Sequence, residues 1–86
     1  MKKIYLIQTN IKDNEAFTDR IKSLGSWLKY FSDNWIVESS LSAQEIYVKL
    51  SSGHEKDSIF VAELSKSNNW GRMNTKVWEY FKERKK

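Results

Sequence analysis

The order in which hydrophobic spacing changes along this chain is the feature that most constrains its fold. Apolar side chains recur at every second residue in four segments, and two segments with helical spacing lie between them. In chain order the segments are Lys3–Thr9, Glu15–Leu24, Trp27–Phe31, Trp35–Ser39, Ser42–Leu50 and Ser58–Leu64. This strand-helix-strand-strand-helix-strand order predicts a ferredoxin-like α+β fold, with a four-stranded antiparallel sheet and two helices on one face. We expect the other face to be free to pair or bind.

The chain divides by composition after Leu64 into a predicted core, residues 1–64, and a C-terminal segment, residues 65–86. The segment is polar at first, and it ends in a short amphipathic helix over Thr75–Arg84. Its apolar residues predict that this helix packs either on the core or on a partner subunit.

Local residue choices predict where the elements begin and end. Asp13 is expected to be the N-cap of the first helix, and Gly25 its left-handed C-cap residue. Ser32–Asn34 predicts the hairpin turn between the second and third strands, because Asp and Asn tolerate left-handed backbone. Ser42 followed by Glu45 matches a capping box at the start of the second helix.

Length and composition exclude several classes of protein. A domain of 86 residues buries only about 60–65% of the surface that its unfolded chain exposes. The chain has no cysteine, which excludes disulfides and thiolate metal sites. No apolar run approaches the roughly 20 residues of a membrane span or the length of a signal peptide, so we expect a soluble cytoplasmic protein without a membrane partner.

The positive charge of the chain is concentrated at its C-terminal end. Of the formal net charge of +4, residues 66–86 carry seven basic and two acidic side chains, whereas the rest is slightly acidic. One interpretation is a nucleic-acid-binding segment. The other is a solvated helix end, where basic residues complement the helix dipole. The candidate phosphate contacts are Arg72, Lys76, Lys82, Arg84, Lys85 and Lys86.

The sequence contains no arrangement that indicates catalysis. His54 is the single histidine, in a polar loop where we expect it to be exposed to solvent, and nothing positions a nucleophile beside it. No glycine-rich phosphate loop and no metal-ligand spacing is present. We therefore predict no catalytic residues, no metal site and no cofactor.

Twelve aromatic residues in a small domain allow two interpretations. Tyr5, Trp27, Tyr30 and Trp35 could face outward and stack on the bases of a single-stranded nucleic acid. Aromatic residues in a chain of this size are more often core or subunit-interface residues. For a dimer, we expect the interface to combine the open sheet face with Trp70, Trp78 and Phe81.

Several short segments, taken together, resemble the SinR family of small proteins. They are Tyr5–Ile7, Ile21–Trp27, Trp35–Val37, Ser42–Ile46, Asp57–Leu64 and Trp70–Gly71. That family is similar in fold to the CRISPR-associated spacer-acquisition proteins and to VapD-type ribonucleases. The resemblance implies a ferredoxin-like fold and a homodimer, and it implies little about activity.

One departure from the nuclease relatives bears on function. They place an aspartate just after the first strand, one from each subunit, to hold a divalent metal, whereas Asn10 stands at that position here. An amide brings no charge to a metal ion, so affinity for Mg²⁺ should be low. We therefore expect a non-catalytic, dimeric binding module that binds nucleic acid. The alternatives are a phage or mobile-element adaptor or inhibitor that binds a host protein, and a weak metal-dependent ribonuclease.

Overall fold

The computed structural model describes residues 2–30, 34–65 and 75–84. This part of the chain contains four strands and three helices. The elements are β1 (Lys3–Thr9), α1 (Glu15–Lys22), β2 (Ser26–Tyr30), β3 (Asn34–Ser39), α2 (Ala43–Ser51), β4 (Ile59–Leu64) and α3 (Thr75–Arg84).

The four strands form one antiparallel sheet in the order β2-β3-β1-β4. Tyr5 in β1 lies opposite Val37 of β3 on one side and opposite Glu63 of β4 on the other. The predicted ferredoxin-like α+β fold is therefore confirmed, with β1 as a central strand and with β2 and β4 at the two edges.

Helices α1 and α2 cover one face of the sheet and enclose the larger core. Alternate residues of β1 and β3 point to this face, and they meet the apolar stripes of the two helices. The buried members of this core are Tyr5, Ile7, Phe17, Ile21, Leu24, Trp35, Val37, Ile46 and Leu50. Tyr5 also donates a 2.7 Å hydrogen bond from its hydroxyl to the carbonyl oxygen of Leu41, which satisfies its polar end.

Helix α3 packs on the opposite face of the sheet, so the expectation that this face is free is wrong over much of its area. Val77, Tyr80 and Phe81 are spaced three and four residues apart and form one helical stripe. This stripe is buried against Ile4 and Ile36, with the partly buried Leu28 and Leu64 beside them. Apolar residues on both faces of β1 and β3 require this second cover.

The first helix begins at Glu15 as predicted, but its N-cap lies one residue later than the sequence predicted. Asn14, not Asp13, is the N-cap, and its Oδ1 accepts a 2.9 Å hydrogen bond from the backbone N–H of Phe17. Asp13 has a φ of 52°, so the chain reverses direction there before the helix starts.

The second helix begins at the predicted capping box. Ser42 Oγ accepts the backbone N–H of Glu45, and a Glu45 carboxylate oxygen accepts the N–H of Ser42. The backbone N–H of Ser42 and, to a smaller extent, its side-chain hydroxyl stabilise the ionised Glu45 carboxylate and lower the pKa of Glu45 from its usual 4.5.

Gly25 is not the C-cap residue of the first helix, so this prediction is wrong. Helix α1 ends at Lys22 with Ser23 as its C-cap. Gly25 instead leads into β2, where a Cβ atom would overlap the backbone carbonyl oxygen of Glu38 in β3. Glycine is needed because the two backbones approach too closely for a side chain.

Among the described residues, none of the helices combines the length and the apolar character that crossing a membrane requires.

Candidate functional site

The position that the resemblance assigns to a metal-binding aspartate is occupied by a structural asparagine. Asn10 follows β1 and lies opposite Ser58, just before β4. Its backbone N–H donates a 3.3 Å hydrogen bond to the carbonyl oxygen of Ser58, and its Oδ1 accepts the N–H of Ser58 at 2.9 Å. The Asn10 amide oxygen thus closes the end of the β1–β4 pairing.

Three acidic side chains lie close together at the start of α1. Asp13, Glu15 and Asp19 line a shallow polar depression together with Lys22 and Lys29. Within residues 2–30, 34–65 and 75–84, no three His, Asp or Glu side chains form a group that could hold a metal ion. The depression is therefore a surface of mixed charge.

His54 is less exposed than its loop position suggested. Its side chain is 16% exposed, and its ring lies edge-on to Phe17 with the ring centres 5.2 Å apart. Its Nδ1 lies 3.0 Å from Asp57 Oδ2 in the same loop. Arg20 of α1 reaches the end of α2 nearby and donates a 2.7 Å hydrogen bond to the carbonyl oxygen of Ser52. These contacts hold the loop after α2 against α1.

The six candidate phosphate contacts are divided by the structure. Arg72, Lys85 and Lys86 lie outside the described residues. Lys76 and Lys82 are exposed on α3. Arg84 is only 14% exposed, because its side chain lies along α3 towards the sheet.

Arg84 contacts five groups within the described chain, one of which is the carboxylate of its neighbour Glu83, 3.5 Å from Nη1. Its guanidinium stacks 3.7 Å from the centre of the Tyr80 ring, and its Nε lies 3.4 Å from Glu38 Oε1 in an ion pair without hydrogen-bond geometry. Its two terminal nitrogens donate to Ser26 Oγ at 2.6 Å and to the Tyr80 carbonyl oxygen at 3.1 Å. Sequence reasoning missed this role because Glu38 and Ser26 lie far away along the chain.

The pKa of the neighbouring Tyr80 hydroxyl is shifted by the same surroundings. Burial raises the pKa of the Tyr80 hydroxyl above its usual 10.0, and the negative charge of Glu38 acts in the same direction. The positive charge of Arg84 and the hydrogen bond with Ser26 oppose this shift. The hydroxyl stays protonated and donates to the Ser26 carbonyl oxygen at 2.8 Å.

The three residues predicted for a dimer interface have different surroundings. Trp70 lies outside the described residues, and Trp78 is half-buried on α3. Phe81 is 7% exposed and packs in the core between α3 and the sheet, so its side chain is already covered within one chain.

The predicted aromatic platform does not form as a single surface. Tyr5 and Trp35 are buried in the core beneath α1 and α2, so the expectation that they face outward is wrong. Trp27 is 42% exposed on β2, where the Lys22 ammonium lies 4.7 Å from the centre of its ring. The side chain of Tyr30 lies outside the described part of the structure.

Exposed apolar side chains that sequence reasoning did not identify lie on β4 and on α2. Phe60 of β4 is 58% exposed, and α2, which packs over β4, exposes Tyr47 and Val48. Phe60 lies opposite Gln8 and therefore on the face of the sheet that carries Ile4 and α3. Helix α2 covers the other face, so these exposed side chains do not form one surface. The alternation of apolar residues along β4 did not predict that Phe60 is exposed, because this alternation does not show which strand lies at an edge of the sheet.

Comparison with known families gives one match. The model of a family described as a protein of unknown function, DUF3884, matches residues 1–61, which include β1 to α2 and the start of β4. No curated protein and no solved structure matches the chain. The match does not bear on the resemblance to the SinR family, which stays a prediction.

Proposed function

We propose that this chain, which belongs to the DUF3884 family, is a non-catalytic binding module that acts as a homodimer. The observation that carries the proposal is the use of Asn10. Its side-chain oxygen and its backbone N–H both bind Ser58, so the position that serves metal binding in the nuclease relatives serves strand pairing here.

Two further contacts support a binding role over a catalytic one. His54 is engaged by Asp57 and packs on Phe17, so its ring stabilises a loop. Arg84 is engaged by Glu38 and Ser26, so its charge anchors α3. By contrast, Phe60 on β4 and Tyr47 and Val48 on α2 stay exposed and are available for contact with another molecule.

The proposal is tested by mass and by activity. Light scattering on the full chain should give twice the mass of 10.2 kDa over a range of concentrations. Incubation with RNA and with DNA in Mg²⁺ should give no cleavage, and Asn10→Asp should not create any. A monomeric mass at every concentration, or metal-dependent cleavage that Asn10→Ala abolishes, would overturn the proposal.

Nucleic acid is the ligand that the charge distribution favours. Residues 66–86 carry the basic excess of the chain, and Lys76 and Lys82 are exposed on α3. Each phosphate contact would make the plot of the logarithm of the binding constant against the logarithm of the salt concentration steeper by about 0.9. Because Arg84 is only 14% exposed, whereas Lys76 and Lys82 are exposed, we propose that Arg84 contributes less than these two lysines.

A mobility-shift titration at two salt concentrations tests this ligand. The Lys76→Ala/Lys82→Ala variant should bind more weakly and with a shallower salt slope. The control variant Lys49→Ala/Lys56→Ala removes the same charge from the opposite side of the sheet and should bind like the wild type. Negligible binding at both salt concentrations would exclude nucleic acid. A protein partner captured from host lysate after nuclease treatment would then favour the adaptor alternative. Both versions of the proposal place the protein in the cytoplasm.

A further inference from the structure

The strand register arranges the side chains of the α3 face in rows that run across the sheet. Opposite residues of an antiparallel pair point to the same face, with Cβ atoms about 4.5–5.5 Å apart. Ile4 and Ile36 belong to rows that α3 covers. In the next row, Gln8 lies opposite Phe60 of β4 on one side and opposite Asn34 of β3 on the other. These three side chains therefore stand side by side on the α3 face of the sheet.

This row is open to solvent at the end of the sheet. Phe60 is 58% exposed, Gln8 is exposed and Asn34 is half-buried. Together with Asn10 and Ser58, they line an open depression of about 380 Å³. Sites for small molecules span roughly 300–1,000 Å³, so the depression has room for one flat ring system. We call Gln8, Asn34 and Phe60 the Phe60 site.

The two amides of the Phe60 site offer hydrogen bonds of both kinds. Each amide has a carbonyl oxygen that accepts and an NH₂ group that donates. Within the described part of the chain, neither the Gln8 nor the Asn34 side chain has a hydrogen-bond partner. Asn10 differs, because its Oδ1 accepts the Ser58 N–H. Gln8 and Asn34 are therefore available to a ligand that carries both donors and acceptors along one edge.

The exposed ring of Phe60 supplies a stacking surface beside these amides. Nucleobases stack on aromatic side chains, and unpaired bases also present their polar edges to amides and other polar groups. In a duplex, each base is stacked on its neighbours and paired along its edge, so it cannot reach Phe60. The Phe60 site therefore fits the flat face and the polar edge of one unpaired base.

The charge around the Phe60 site is compatible with a nucleic acid strand. None of the residues that line the depression carries a carboxylate, so phosphates meet no repulsion there. Helix α3, on the same face, exposes Lys76 and Lys82 but also Glu79 and Glu83. Attraction of a polyanion therefore depends on the net charge of the whole chain, +4. A strand with uncharged bases uses both this charge and the site, whereas a neutral sugar uses only the site.

We propose that the Phe60 site binds one unpaired base of a single-stranded nucleic acid. The base stacks on the ring of Phe60 and forms hydrogen bonds with the amides of Gln8 and Asn34. This proposal rests on the nucleic-acid ligand of the proposed function and names the place where its bases bind. The site lies on the opposite face of the sheet from Tyr5 and Trp35, which are buried beneath α1 and α2.

Anisotropy titrations of the full chain with labelled single strands of mixed sequence, DNA and RNA, test the proposal. Phe60→Ala should weaken binding about tenfold or more, because the stack of one base is lost. Phe60→Tyr keeps a ring and should bind like the wild type. The control Tyr47→Ala removes an aromatic side chain that is 47% exposed on the other side of the sheet, and its dissociation constant should stay within about twofold of wild type. Circular dichroism checks the fold of each variant.

A labelled strand of abasic sites separates stacking from charge without any variant. It keeps the phosphates and lacks the rings, so the wild type should bind it about tenfold more weakly than the strand with bases. Phe60→Ala should bind the two strands with similar affinity. Because Phe60→Ala removes no charge, its salt dependence should match that of the wild type, whereas Lys76→Ala/Lys82→Ala should have the shallower dependence.

The amide contacts have a direct measurement. In heteronuclear NMR spectra, the side-chain NH₂ signals of Gln8 and Asn34 should shift as the single strand is added. The NH₂ signal of Gln44, an exposed amide on α2, should stay in place. Shifts of Gln44 without shifts of Gln8 and Asn34 would overturn the site.

The outcomes separate the Phe60 site from the nucleic-acid ligand itself. Binding of single strands that Phe60→Ala weakens and Tyr47→Ala does not supports the proposal. Equal affinity of the wild type for the single strand, its duplex and the abasic strand overturns the site, while nucleic acid stands as the ligand. Unchanged binding by a folded Phe60→Ala variant does the same. A wild-type chain that binds none of these strands overturns both.

Discussion

The hydroxyl of Tyr80 on α3 donates a 2.8 Å hydrogen bond to the carbonyl oxygen of Ser26, 54 residues earlier at the start of β2. Arg84, one helical turn further on, donates to the Oγ of the same serine. These two side chains fix the C-terminal helix to one edge of the sheet. They also explain how residues that look like a basic tail in the sequence belong to the fold.

Loss of the Arg84 side chain should destabilise the protein. Arg84→Ala removes its hydrogen bond to Ser26 and leaves Glu38, which is only 17% exposed, without its cation. We expect the free energy of unfolding to fall by about 2–3 kcal/mol. Chemical denaturation measures it, with the exposed Lys82→Ala as a control expected to stay within about 0.5 kcal/mol of wild type. Equal stability of the two variants would contradict the anchoring role.

Stability should depend on the ionisation of Tyr80 at alkaline pH. Because burial raises the pKa of this hydroxyl in the folded chain, the protonated form is favoured by folding. The stability that the protonated Tyr80 hydroxyl contributes is therefore fully present below its pKa in the unfolded chain, near 10. It is lost as the pH rises through its pKa in the folded chain. Denaturation of wild type and Tyr80→Phe from pH 8 to 11 should show the steeper decline in the wild type. Parallel curves would contradict the assignment.

The two glycines with positive φ should respond differently to alanine. Gly25→Ala places a Cβ against the Glu38 carbonyl oxygen and forces β2 and β3 apart, so we expect a loss of about 3 kcal/mol. Gly53→Ala meets no atom within 4 Å and carries only the penalty of its φ of 83°, about 1 kcal/mol. Thermal denaturation of both variants tests this order, and a reversal would contradict the close approach.

Asn10 should tolerate aspartate better than alanine. Asn10→Ala removes the acceptor for the Ser58 N–H and should lower the free energy of unfolding by about 1 kcal/mol. Asn10→Asp retains an oxygen at that place and should preserve most of the stability. Hydrogen exchange at the Ser58 amide measures the local effect directly. Faster exchange in Asn10→Asp than in Asn10→Ala would show that the oxygen is not the acceptor.

Much of the fold could be read from local patterns. Strand β1 and helix α3 have the bounds that apolar spacing predicted, and the Ser42–Glu45 capping box forms as expected. These features depend on residues within a few positions of each other. The first helix cap was misplaced by one residue, because Asp13 and Asn14 have similar capping chemistry and only the backbone reversal at Asp13 separates them.

The candidate site was far less predictable. The charge of Arg84 was evident, but its partner Glu38 lies on β3 and meets it only once α3 is docked. The exposed Phe60 could equally have been a core residue, because its neighbours across the sheet are set by the strand order. Neither fact follows from spacing along the chain.

The sequence by itself determined the order, type and approximate ends of the strands and helices, since periodicity and capping are short-range properties of the chain. Only the tertiary structure decided that α3 covers the second face, that Arg84 turns inward and that β4 is the last strand of the described sheet. The physical reason is that these outcomes depend on the strand register, which joins residues tens of positions apart. Docking of α3 then determines which side chains of the second face are buried.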